Sequence, residues 1–311
     1  MMVALSYLIL DVFTDQPLTG NPLAVVPYPQ QELSDQQMQT IAGEFNLSET
    51  VFIYPPKEAG NTAQLRIFTP TQELPFAGHP TIGAAVALGL LEQRNLLSLN
   101  RDSSIIFEEK VGPIHVDLRL QSDYLGSATL RTARLPEQGL SSASRHQLAE
   151  ALSLAAEALI WDEEWQPAAY SCGVPFLFIP LRSRALVDEA RINTGAWESY
   201  LKNSWASSVF VFCLDTVDPN HQVYGRMFGP EKGIIEDPAT GSAAAAFAGY
   251  LFAKEPHQQG RKQWIIEQGF AMGRPSLLEI TMHSEQGKLK GVYVGGQAVL
   301  VGEGQLLNLP F

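Results

Sequence analysis

Three residues of this 311-residue chain have side chains suited to moving protons: Glu49 in Ser48-Glu-Thr50, His79 in Ala77-Gly-His-Pro80, and Asp237 at the head of Asp237-Pro-Ala-Thr-Gly-Ser242. A carboxylate, an imidazole and a second carboxylate can take a proton from one atom and return it to another. Singly, each has a plain alternative. Glu49 reads as a solvated loop charge, His79 as a satisfied turn histidine and Asp237 as a helix cap.

An internal repeat groups them. Arg66-Ile-Phe-Thr-Pro70 matches Arg226-Met-Phe-Gly-Pro230 at a shift of 160 residues. Without a gap, the same shift lays Thr81–Leu88 on Gly241–Ala248 and carries Gly89 onto Gly249 and Leu91 onto Leu251. It sets Asp237 opposite Ala77 and His79 opposite Ala239, and aligning Val51-Phe52 with Val209-Phe210 sets Glu49 opposite Ser207. Duplication makes equal halves, whereas chemistry needs asymmetry, so polar residues found in one copy only are the candidates. Arg66 and Arg226 stand in both copies and are expected to form structural ion pairs.

The elements that position these residues follow from the pattern. Ala243 to Phe252 carries no charged side chain. A helix apolar all round must be buried, and this one falls short of the roughly 18 residues of a membrane span. Ser242 or Thr240 is the expected cap, and the alanines propagate the helix. Its start, at Gly241-Ser242, offers free amides and the positive end of the dipole to an anion. The twin helix is expected over about 80–92, with Pro80 in its first position, where a missing N–H costs nothing. Ser34 and Gln37 form a capping box ahead of a helix through Met38, Ile41, Ala42 and Phe45. A further helix is expected from Ser141 to Leu154.

Strands are expected at 6–13, 23–27, 63–69 and 113–118, with a hairpin around Gly112. The second series echoes the first: Gly173-Val-Pro175 answers Gly20-Asn-Pro22, and Ile265-Ile-Glu-Gln268 answers Ile106-Phe-Glu108. The fold class is α+β. It has two pseudo-symmetric halves, each a mostly antiparallel sheet wrapped around a buried central helix. The first half is 1–122 with a C-terminal strand 297–311, the second is 123–296, and the site is expected between them.

Composition narrows the partners. Net charge is −12, with no Lys/Arg cluster, which argues against nucleic acid and anionic membranes. The N-terminus has no basic flank or small-residue cleavage site and reads as a first strand, not a signal peptide. Cys172 and Cys213 give neither a disulfide framework nor zinc spacing, so the expected location is the cytoplasm. No phosphate loop, Gly-x-Gly-x-x-Gly fingerprint or His/Cys cluster is visible. The expectation is no cofactor and no metal.

Asp11-Val-Phe-Thr-Asp15, Gly20-Asn-Pro-Leu-Ala-Val-Val26, Ser48-Glu-Thr-Val-Phe52, Glu73-Leu-Pro-Phe-Ala-Gly-His-Pro-Thr81, Asp237-Pro-Ala-Thr-Gly-Ser242 and Gln268-Gly269 with Gly273-Arg-Pro-Ser276 resemble the PhzF family of phenazine-biosynthesis-like isomerases over nearly the whole chain. The resemblance implies the diaminopimelate epimerase fold, two α/β halves with the site between them, and often a homodimer. It implies that Glu49 is the proton-shuttling glutamate, with His79, Asp237 and Ser242 as its supporting polar residues. The family's type enzyme isomerises dihydro-hydroxyanthranilate without a cofactor. Epimerase and racemase relatives place two cysteines at the helix ends. Here those turns hold Ala77-Gly78 and Asp237-Pro238, which disfavours a two-thiol mechanism.

The expected function is a cofactor-independent isomerase of a small carboxylate-bearing metabolite. One carboxylate can both take and return the proton if apolar walls lift its pKa towards about 6–7. Amides near Gly78-His79 and Gly241-Ser242, with Thr240, would hold developing negative charge, each helix end contributing roughly 0.3–2 kcal/mol. A protonated His79 would meet the substrate carboxylate. Two other readings stay open: an epimerase or racemase without thiol bases, and a non-catalytic small-anion-binding protein. Glu49 speaks against the last, because a carboxylate repels the anion such a protein would hold.

Overall fold

The computed structural model describes residues 3–94, 101–140, 143–232, 234–255, 257 and 259–309. They form two compact units, 1–133 with 295–311, and 134–294.

In the first unit the chain runs β1 (Val3–Val12), β2 (Asn21–Pro27), α1 (Asp35–Phe45), β3 (Glu49–Tyr54), β4 (Ala63–Phe68), β5 (Glu73–Leu74), α2 (Gly78–Arg94), β6 (Asp102–Glu109), β7 (Gly112–Leu120) and β8 (Leu125–Arg131). The second unit holds β9 (Glu137–Gly139), α3 (Arg145–Ala151), β10 (Ala168–Ser171), β11 (Pro175–Pro180), α4 (Arg184–Glu189), α5 (Thr194–Tyr200), β12 (Ser208–Cys213), β13 (Val223–Gly229), β14 (Ile234–Asp237), α6 (Gly241–Lys254), β15 (Gly260–Gln268) and β16 (Ser276–Glu285). The last strand, β17 (Lys288–Leu309), starts in the second unit and belongs to the first from Gly295 onward.

The first unit closes on itself. β1 pairs antiparallel with β17 and β2, β2 runs parallel to β3, and β3 pairs antiparallel with β4. β4 runs parallel to β6, and β6, β7 and β8 follow antiparallel. β8 then pairs with β17, which completes the ring. A closed ring leaves no exposed edge. α2 packs against β8, β7, β2, β1 and β3. Ile82, Val86 and Leu90 on it are buried, as a helix without charge from Gly78 to Leu91 requires. At Gly83 a Cβ would lie 2.4 Å from Leu23 and 2.8 Å from Val12, so glycine there lets β1 and β2 close on the helix.

The second unit repeats the order of pairings. β9, β10 and β11 are antiparallel, β11 runs parallel to β12, and β12 pairs antiparallel with β13. β13 pairs antiparallel with β14 and parallel with β15, and β15 pairs antiparallel with β16. α6 packs against β10, β16, β11 and β9. Its Phe247 and Tyr250 nest among Phe178, Phe210 and Phe212, with ring centroids 4.8–5.9 Å apart. Such ring pairs add about 0.5–1.5 kcal/mol each beyond the area they bury.

Several boundaries differ from expectation. β8 lies beyond residue 122 and pairs with β7, and the first compact unit runs to 133. α2 begins at Gly78, which makes Pro80 its third residue and not its first. The missing N–H still costs nothing, because the first four amides of a helix have no intrahelical partner. The helix expected from Ser141 is α3, and Ser141 lies outside the described residues. Ser144 caps it, with Gln147 completing a capping box. The box at Ser34 and Gln37 forms as expected. The hairpin at Gly112 also forms, with that glycine at φ 118°. No helix among the described residues is long and apolar enough to cross a membrane.

Candidate active site

In the first unit, three elements begin at the same point. Asn21 opens β2, Glu49 opens β3, and His79 is the second residue of α2. Parallel pairing sets Glu49 level with Leu23, two residues along β2 from Asn21. Glu49 Oε2 lies 3.3 Å from His79 Nδ1, and the glutamate side chain is 12% exposed. Asn21 Nδ2 lies 3.4 Å from the same ring nitrogen. Gly78 and Pro80 flank the histidine and are buried.

Burial pushes the His79 imidazole down to about 3, so it is neutral near pH 7. Burial works against the expected protonated His79, because a buried cation loses its hydration. A neutral imidazole has one N–H. With the proton on Nδ1 the ring can turn that N–H towards a Glu49 carboxylate, and with the proton on Nε2 it offers Nδ1 to Asn21 Nδ2 or to a protonated Glu49. Each tautomer therefore suits one protonation state of Glu49, the Nδ1–H form the carboxylate and the Nε2–H form the acid. Nε2 is buried and has no hydrogen-bond partner among the described residues.

A pH prediction follows. The folded pKa of about 3 lies below the ordinary 6.5, so in that window the unfolded chain binds a proton that the folded chain refuses. The contribution of His79 to stability is complete above pH 6.5 and falls as pH drops from 6.5 towards 3. Thermal melts across that range should fall less steeply for His79→Gln than for the wild type. Equal slopes would mean that His79 does not refuse the proton.

In the second unit, Asp237 ends β14 and is buried. Thr240 Oγ1 donates to Asp237 Oδ2 at 2.5 Å. Thr240 stands at the N-cap position of α6, but its side chain does not cap the helix; its oxygen accepts from Gln268 Nε2 instead. Gln268, at the end of β15, locks the turn. Its Nε2 donates to Asp237 O at 2.7 Å and to Thr240 Oγ1 at 3.1 Å, while its Oε1 accepts from Thr240 N at 3.2 Å. At Gly269, φ is 80° and a Cβ would lie 2.3 Å from Arg274 O and 2.6 Å from Pro238 O, so only glycine fits. Gly241 is buried and Ser242 half-buried at the start of α6.

The two arginines form ion pairs, as their presence in both copies suggested. Arg66 is bidentate to Glu73 at 2.5 and 2.9 Å. Arg226 is bidentate to Glu236 at 2.8 Å for both bonds. Among the described residues, no group of three or more His, Cys, Asp or Glu side chains is placed to hold a metal ion. Burial pushes the Cys213 thiol up to about 11, which removes it as a base near neutral pH.

Asn21 and Gln268 were not among the candidates. Asn21 could have been found by the comparison that found the others: Gly20-Asn-Pro22 has Val174 in its echo, so the amide exists in one copy only. Gln268 sits in a motif of the chain, but nothing in the sequence marks a glutamine as buried.

The sequence model of the family described as "Phenazine biosynthesis-like protein" (PhzC-PhzF) matches residues 10–304. A protein named as an uncharacterized isomerase of Mesorhizobium japonicum is 40% identical over 304 residues, covering 97% of this chain and 98% of that protein. The trans-2,3-dihydro-3-hydroxyanthranilate isomerase of Pseudomonas chlororaphis is 34% identical over 302 residues, with 97% and 99% covered. Among solved structures, the PhzF-family phenazine biosynthesis protein of Bacillus anthracis matches with a TM-score of 0.86 at 25% identity, covering 97% of this chain and 99% of that one. A hydroxyproline epimerase of Agrobacterium vitis matches with a TM-score of 0.63 at 13% identity, covering 98% and 91%, a likeness of fold alone.

Proposed function

Because this chain belongs to the phenazine biosynthesis-like PhzC-PhzF family and is an isomerase by that membership, we propose that it moves a proton within a small carboxylate-bearing metabolite, with Glu49 as the group that takes and returns it. The observation that carries this reading is the approach of Glu49 Oε2 to within 3.3 Å of a buried His79 ring nitrogen.

In the proposed reaction the Glu49 carboxylate removes a proton from one carbon, and the electron pair left behind spreads over the adjoining unsaturated system. Glu49, now protonated, returns the proton to a second carbon, and the double bond moves. Proton and electrons balance within the substrate, so no oxidant or reductant is consumed. His79 stays neutral, holds the Glu49 carboxyl in place and favours each of its protonation states in turn. Amides at Gly78 and Gly241, with Thr240 and Ser242, bind the acidic substrate. Asp237, fixed by Thr240 and Gln268, is assigned to the same reaction, on the evidence of the internal repeat. The halves are taken to descend from one duplicated unit built on a central helix, which the repeated order of strand pairings supports. The first substrate to test is trans-2,3-dihydro-3-hydroxyanthranilate, on which the Pseudomonas chlororaphis relative is named as acting.

The reaction as written needs no cofactor, and this can be tested directly. Protein dialysed against chelator should show no absorbance beyond its aromatic residues and should keep its full rate. A rate lost on chelation and restored by one metal would overturn the cofactor-free mechanism.

A further inference from the structure

Glu109 is a buried carboxyl group that the proposed reaction does not use. It ends β6 as Gln268 ends β15, in matching runs, Ile106-Phe-Glu-Glu109 and Ile265-Ile-Glu-Gln268. The preceding glutamates fix the register. Glu108 accepts from the backbone of Lys57 and Glu58, and Glu267 from the backbone of Val217 and Asp218. The residues that follow them play matching parts at the two buried helices. Gln268 Nε2 donates to Thr240 Oγ1, which donates to Asp237. Glu109 Oε1 lies 2.7 Å from Thr81 Oγ1, which lies 2.7 Å from Ala77 O. Ala77 is the residue that the 160-residue shift sets opposite Asp237.

The one proton of Thr81 faces two oxygens, Glu109 Oε1 and Ala77 O. A hydroxyl has one proton, and a carbonyl oxygen can only accept. With two oxygens equally close at 2.7 Å, both contacts of Thr81 are hydrogen bonds only if it donates to Ala77 O and accepts from a protonated Glu109. Its second oxygen, Oε2, is buried with no partner among the described residues. That is tolerable for a neutral carbonyl oxygen and costly for half of a carboxylate. The charged groups nearby are otherwise engaged: Lys110 pairs with Glu73, Glu73 also takes Arg66, and Glu108 is held by backbone amides and Asn61. His79, on the same turn as Thr81, is neutral. Burial independently pushes the Glu109 carboxyl up to about 8.

We propose that Glu109 is a neutral acid that fixes the start of α2 through Thr81, as the amide of Gln268 fixes the start of α6 through Thr240, and so positions His79 beside Glu49. This role rests on the function proposed above. Glu109 is a positioning residue, since it acts through the helix start and not on substrate.

Glu109→Gln replaces the neutral acid with the side chain that does the same work at α6. Infrared difference spectra of wild type minus Glu109→Gln at neutral pH should show a protonated-carboxyl C=O band. With trans-2,3-dihydro-3-hydroxyanthranilate, Glu109→Gln should keep the wild-type kcat and KM. Glu109→Ala should lower kcat by about 10²-fold at a nearly unchanged KM, because His79 is no longer held in register. Absence of the band, loss of activity in a folded Glu109→Gln, or full activity in Glu109→Ala would each overturn the proposal. If Glu109→Ala does not fold, the band and the Glu109→Gln rates still decide. If the wild type does not turn over this compound, the proposed function fails on that substrate, and the band still tests the protonation of Glu109.

Discussion

Glu49→Gln is expected to fold as the wild type does and to lose turnover by about 10²–10⁴-fold, the usual contribution of a positioned general base. Glutamine matches glutamate in shape, and its amide can still meet His79 Nδ1, so the element starts stay together. What it cannot do is accept a proton from carbon. KM should change little, since binding is assigned to the helix starts at Gly78 and Gly241. If Asp237 serves the same step, adding Asp237→Asn to this variant should cost far less than the two single losses combined. Initial rates and far-ultraviolet melts on the four proteins decide the matter, and a wild-type rate in Glu49→Gln removes Glu49 from the mechanism.

Arg226→Ala should be the most destabilising single change among the ion pairs. Arg226 is 3% exposed. Beyond its fork on Glu236, its Nη1 donates to the carbonyls of Val187, Asp188 and Ala190 at 2.9–3.0 Å. One side chain therefore ties the C-terminal end of α4 to β13 and β14. Removing it leaves a carboxylate and three carbonyl oxygens without these donors, and breaking a buried pair from one side costs about 3–5 kcal/mol. For a unit of this size each kcal/mol lowers the melting point by about 2–4 °C. Lysine cannot restore the fork, because a single ammonium cannot face both carboxylate oxygens and the carbonyls. Arg66→Ala is the built-in control. Its own side chain is 20% exposed against 4% for Arg226, and its partner Glu73, 13% exposed, keeps Lys110 when the arginine is removed, so the cost should be the smaller of the two. Urea melts should separate the twins clearly, and equal losses would contradict the assignment of the cost to burial.

What the sequence showed and what it hid have physical reasons. The two uncharged helices were legible because a helix apolar all round has few places to go. The shift of 160 residues also gave their approximate ends. Glu49, His79 and Asp237 emerged because a duplicated chain makes one-copy polar residues conspicuous. α4 and α5 were missed because helices of six and seven residues are too short for a 3.6-residue period to show. The cap at Thr240 was misjudged because local sequence cannot reveal that its hydroxyl oxygen accepts from the distant Gln268 instead of from helix amides. Glu109 was invisible as a site residue because a terminal strand glutamate normally lies in water. Only the closed ring of strands, which puts the end of β6 against the first turn of α2, makes it a buried acid.

The account rests on proton transfer at carbon, and hydrogen isotope exchange tests that most directly. Wild-type protein and Glu49→Gln, each stripped of metal, would be incubated with trans-2,3-dihydro-3-hydroxyanthranilate in deuterium oxide and the products weighed by mass spectrometry. The wild type should give the isomer, with carbon-bound deuterium in the fraction of turnovers in which the Glu49 carboxyl exchanges with solvent before it returns its proton, and Glu49→Gln should return the starting compound unlabelled over the same time. A product formed with undiminished labelling by Glu49→Gln, or no exchange and no isomer with either protein, would contradict it.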